Sequence, residues 1–75
     1  MTTLDCLPVG SSGVVENISG DDEISFRLME MGLVPGTELK VIGVAPLGDP
    51  LELELRGYRL SVRREEAKRI ELAAG

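Results

Sequence analysis

The sequence predicts a mainly β fold: one small barrel of about five strands, with a short α-helix in the first loop and a one-turn helix before the last strand. Three observations carry that expectation. Residues 51–55 and 58–62 each alternate apolar and polar residues, and only Arg56-Gly57 separates them, which reads as a hairpin. Ile24, Leu28 and Met31 follow the helical spacing i, i+4, i+7 and stop at Gly32. Short β-branched or alternating stretches recur elsewhere, bounded by clusters of Gly, Pro, Ser and Asp.

In chain order, "LDCLPV" (4–9) reads as a docking segment or a short first strand, and "GSSG" (10–13) as a turn. "VVENI" (14–18) is a strand by its β-branched content. Ser19 or Asp21 is the expected helix cap, with Asp22 and Glu23 placing negative charge where the helix dipole favours it. On that helix Ser25 and Met29 flank the apolar line, while Phe26 lies off it and is expected to pack from the side. Gly32 suits the left-handed position after a helix, and Leu33 folds back onto the last turn. "VPGT" (34–37) has the Pro-Gly centre of a type II turn.

Leu39 and Val41 then alternate, and Ile42 and Val44 fall on the opposite parity around Gly43, which predicts a bulge. "APLGDP" (45–50) is a loop. In the hairpin, a two-residue turn sets Leu55 opposite Tyr58, Leu53 opposite Leu60 and Leu51 opposite Val62, all facing inward, with Glu54 against Arg59 on the outer face. Residues 65–68 suit one helical turn with Ala67 inward, and Ile70 and Leu72 suit a closing strand. A sheet this small buries one face and removes its edges by closing on itself, so an SH3-like β-barrel is the expected solution.

The 75 residues, beginning at Met1, read as a single domain, 1–75. Phe26 and Tyr58 are the only aromatics, so the core is expected to be aliphatic. A net charge of −5 argues against nucleic acid as a partner. The basic residues Arg56, Arg59, Arg63, Arg64, Lys68 and Arg69 gather late in the chain, where Glu52, Glu54, Glu65 and Glu66 are their expected partners. No leader pattern and no run long enough to span a bilayer is present, so the expectation is a cytoplasmic protein without direct membrane insertion.

Catalytic chemistry is not legible. With no histidine, the commonest general base and the commonest transition-metal ligand are missing. The lone Cys6 is expected to be a small buried apolar residue. The glycines form no phosphate-cradling pattern, and Asp21, Asp22 and Glu23 read as helix-start chemistry. The expectation is a non-enzyme with no cofactor and no metal site.

The segments "RLMEMGLVPGT", "APLGDP" and "ELRGYRLSVRREEA" lie in that order within residues 24–72, about two thirds of the chain, and "LPVGSSGVVENI" precedes them. This set resembles the FeoA family of small cytosolic proteins of bacterial ferrous-iron uptake. The resemblance implies an SH3-like domain. It also implies a role as accessory to a membrane ferrous-iron transporter with a cytosolic GTP-binding domain (FeoB-type), acting by protein–protein interaction. It assigns no catalytic residue and no iron ligand. Two other roles are open: a GTPase-activating regulator of that transporter, with Arg56, Arg59 or Arg63 as the stabilising arginine, and a free-standing SH3-like peptide-binding domain related to those of iron-dependent repressors. A docking surface is expected at the helix end and neighbouring turns, comprising Arg27, Met29, Glu30, Leu33 and Val34, with Leu47 and Asp49 of the loop nearby.

Overall fold

The computed structural model describes residues 2–73. Its elements are β1 (Thr2–Thr3), a 3₁₀ turn (Leu4–Cys6), β2 (Ser12–Ile18), α1 (Glu23–Glu30), β3 (Glu38–Val44), β4 (Leu51–Leu55), β5 (Tyr58–Val62), α2 (Arg64–Ala67) and β6 (Ile70–Leu72). The sheet order is β1-β6-β2-β3-β4-β5, and every pairing is antiparallel. β2 bends the sheet: Ser12–Val14 pair with β3, whereas Val15–Ile18 pair with β6 across a register shift at Val15/Asn17. The result is mainly β and SH3-like, but the barrel is loose. Among the described residues no pairing joins β5 to β1, so the ladder is open where closure was expected.

The hairpin register is the one the alternation predicts, from Leu55 opposite Tyr58 to Leu51 opposite Val62. Arg56 and Gly57 both have positive φ (49° and 84°), as the central residues of a type I′ hairpin turn do. The expected bulge is present too, because the β3–β4 register shifts between Val41 and Gly43. The core is aliphatic, with Leu4, Leu28, Leu33, Val41, Leu53, Ala67 and Ile70 all fully buried.

Several local expectations need correction. The N-terminal strand is only Thr2–Thr3, and Leu4–Cys6 form a 3₁₀ turn. Cys6 is exposed, because a 3₁₀ turn rotates about 120° per residue and Leu4 takes the inward position. β2 begins at Ser12, so the turn before it is Pro8–Ser11, closed by the Ser11 N–H donating to the Pro8 carbonyl (3.1 Å). The cap of α1 is Asp22, whose Oδ1 accepts from the Ser25 N–H (3.2 Å). Ser19 instead donates its N–H to the Arg69 carbonyl (2.7 Å), tying the helix entry to the chain before β6. Phe26 is exposed, since it lies two residues and about 200° of helix rotation from buried Leu28. Tyr58 is 42% exposed although its strand mates face the core.

Candidate functional site

The corner between α1 and β3 is built almost entirely by backbone chemistry. The Leu33 N–H donates to the Leu28 carbonyl (3.1 Å) and the Gly32 N–H to the Met29 carbonyl (3.0 Å), the paired bonds of a glycine-terminated helix. Gly32 has φ +103°, and a Cβ there would sit 2.2 Å from the Tyr58 hydroxyl. That hydroxyl donates to the Met31 carbonyl (2.5 Å), so β5 caps the end of α1. The following turn closes through the Thr37 N–H and the Val34 carbonyl (3.0 Å). Thr37 is buried, and its hydroxyl donates to the Gly32 carbonyl (3.1 Å). The Gly36 N–H and Val15 N–H complete the corner by bonding Val15 and Thr37 carbonyls across to β2 (2.7 and 2.8 Å).

The expected docking residues divide into three kinds. Leu33 is fully buried, so it belongs to the core and presents nothing to a partner. Met29 and Val34 are half-buried, with Met29 packed on the core, and Glu30 is exposed. Arg27 is exposed but ion-paired to Glu66 of α2. Leu47 is 96% exposed at the tip of the β3–β4 loop. Asp49 is exposed, yet its Oδ1 accepts from the Arg64 N–H (2.8 Å), which satisfies an open backbone donor at the start of α2.

α1 and the β3–β4 loop are therefore both tied to α2. Glu66 reaches Arg27 on one side, and its Oε1 also accepts from the Arg63 N–H (3.0 Å). Arg64 reaches the other side, donating Nε to the Gly48 carbonyl (2.9 Å) and a terminal nitrogen to the Asp5 carbonyl (3.2 Å). Sequence reasoning missed Arg64, Glu66 and Tyr58 as the residues that hold this surface together. The short "RREEA" helix was visible, but its bonds span sequence gaps that no local pattern encodes.

The outer-face charges also pair differently from expectation. Glu54 stands opposite Arg59 in the ladder, yet among the described residues the ion pairs are Arg27–Glu66 and Arg69–Asp22 (2.6 Å). The hydrogen bond from Arg69 holds the Asp22 carboxyl below the usual carboxylate range, and the Ser25 N–H adds to this. Beside the hairpin turn lies an open cleft of about 440 Å³ edged by Glu38, Lys40, Glu54 and Arg56, whose mixed charges select no single ligand sign. Among the described residues no group of three His, Cys, Asp or Glu side chains is placed to hold a metal ion. No helix among them is long and apolar enough to cross a membrane.

A family model described as the FeoA domain matches residues 2–74. The chain is 36% identical over 66 residues to the Fe(2+) transport protein A/Fe(2+) transporter FeoB fusion protein of Porphyromonas gingivalis; the match covers 88% of this chain and 8% of that protein. The solution structure of a FeoA-like protein from Clostridium acetobutylicum is 41% identical with a TM-score of 0.87, covering 97% of this chain and 88% of that one. The crystal structure of Stenotrophomonas maltophilia FeoA complexed with zinc, a procaryotic SH3 domain protein, is 35% identical with a TM-score of 0.84, covering 97% and 91%.

Proposed function

The chain belongs to the FeoA domain family, and from that membership we propose that it is a cytoplasmic accessory of bacterial ferrous-iron uptake, acting by docking onto the cytosolic part of a FeoB-type transporter. The observation that carries this reading is the Porphyromonas gingivalis relative, in which a region 36% identical to this chain shares one polypeptide with the transporter. Fusion keeps two modules together at a high effective concentration, which suits modules that work in contact. The role asks for binding and no chemistry of its own, in keeping with a chain that lacks histidine.

The docking surface proposed is the exposed side of α1 and its turn, with Arg27, Met29, Glu30 and Val34, together with Leu47 beyond α2. Asp49 and Arg64 support it by fixing the loop that displays Leu47. An isolated leucine at 96% exposure on a braced loop suits insertion into a pocket of a partner. Deleting the gene in a host that retains the transporter tests the role. Ferrous-iron uptake is expected to fall, and uptake at the undeleted level would end the proposal.

A further inference from the structure

β5 is an open sheet edge whose binding capacity is unused. The two-residue turn makes Leu55–Tyr58, Leu53–Leu60 and Leu51–Val62 the hydrogen-bonded pairs of the hairpin. The N–H and C=O groups of Arg59 and Ser61 therefore point away from β4. Among the described residues they have no hydrogen-bond partner, and β4 is the only strand that pairs with β5. The inner row is partly uncovered on the same side, at Tyr58 and Leu60, while Val62 is buried at 1% exposure. Leu51, Leu53 and Leu55 of β4 are at most 2% exposed, whereas Leu60 is half-buried and Tyr58 is 42% exposed. The outer row carries Arg59 and Ser61, Arg63 follows just past the end of the strand, and neither arginine forms an ion pair among the described residues.

From this edge we infer that β5 accepts an added strand from an extended partner segment that alternates acidic and apolar residues. Four backbone hydrogen bonds to Arg59 and Ser61 align the segment. Its apolar side chains cover Leu60 and Tyr58, and its carboxylates face Arg59 and Arg63. The alternation has a precedent within the chain, because the strand already seated on the other side of β5 is "LELEL", with Glu54 opposite Arg59 in register but not ion-paired to it among the described residues. A second copy of this chain is the poorer occupant. Any symmetric pairing of β5 with itself brings Arg59 and Arg63 of one copy beside those of the other, directly or on the diagonal, and like charges so placed repel.

The inference concerns the mode of recognition and does not depend on which protein supplies the segment. Its test is an NMR titration of the whole protein with a capped LELEL peptide, with capped LKLKL and LEPEL as controls. LELEL is expected to shift the amides of Arg59 and Ser61 and to protect them from hydrogen exchange. The two controls are expected to bind at least about tenfold more weakly, a difference of roughly 1.4 kcal/mol. Ser61→Pro removes one outward N–H without touching the β4 ladder, a placement that edge strands tolerate, and should abolish LELEL binding. Should that variant not fold, Arg59→Glu with Arg63→Glu is expected to reverse the preference toward LKLKL. Equal binding of LELEL and LKLKL, perturbations that map away from β5, no binding of LELEL, or a self-association of the free protein that Ser61→Pro removes would each overturn the inference.

Discussion

The α1–β3 corner and the β5 edge use the same backbone chemistry to opposite ends. At the corner, the carbonyls of Leu28, Met29, Met31, Gly32, Val34 and Thr37 all accept hydrogen bonds from within the corner, from β2 or from Tyr58, and Leu33 and Thr37 are buried. At the edge, the outward backbone groups of Arg59 and Ser61 have no partner among the described residues, and Leu60 is only partly covered. The corner has the unusual composition and the edge has ordinary alternation. Unusual composition here marks first a demanding piece of folding, with the proposed docking side chains at its rim, while the capacity to accept a strand lies where a regular pattern ends at solvent.

The sharpest way to break this contrast is a charge at each kind of position. Leu33→Asp buries an unpaired carboxylate in a domain too small to absorb the cost, about 4 kcal/mol or more, and is expected to unfold the protein. Leu47→Asp, at a fully solvated tip, is expected to leave the denaturation midpoint nearly unchanged, within about 0.5 kcal/mol, while weakening partner binding. Chemical denaturation of the two variants separates a core leucine from a surface one.

Next in size is Gly32→Ala. Positive φ and the collision with the Tyr58 hydroxyl together should cost about 2–3 kcal/mol. Tyr58→Phe alone should cost about 1 kcal/mol by leaving the Met31 carbonyl without that donor. In the double variant the collision is relieved, so the two losses should sum to more than the measured total. Strict additivity would mean that the corner does not depend on the hairpin.

The smallest effect is in acid. Arg69 and the Ser25 N–H depress the folded-state pKa of Asp22 below its unfolded value. The stability this contributes is complete at neutral pH, above the unfolded value, and is lost as pH falls through the depressed folded value. Asp22→Asn retains a good helix cap but has no charge to titrate. Its stability should therefore fall less steeply in acid than that of the parent, as followed by denaturation from neutral pH downward.

Much of the fold was legible because the signals were local. The hairpin register, the Gly32 stop, the Pro35-Gly36 turn, the bulge before Gly43 and inward Ala67 all rest on residues near one another in sequence. The open ladder was not legible, because closure depends on where β1 and β5 meet in space. Cys6 was misplaced because residues 4–9 were expected as a docking segment or short strand, whereas Leu4–Cys6 form a 3₁₀ turn; Phe26 lies off the apolar line as expected but faces solvent where packing from the side was expected. The candidate surface was legible only in outline. Local sequence showed that residues 27–34 and 47–49 are special, but it could not show that Arg64 and Glu66 join them or that Leu33 lies beneath them.

The proposal that this chain acts by docking is tested most directly by calorimetric titration into the isolated cytosolic part of a FeoB-type transporter. Saturable binding is expected for the parent protein, with a loss of roughly tenfold or more, about 1.4 kcal/mol, for Leu47→Asp. Absence of binding by the folded parent protein, across nucleotide states of the transporter, would contradict it.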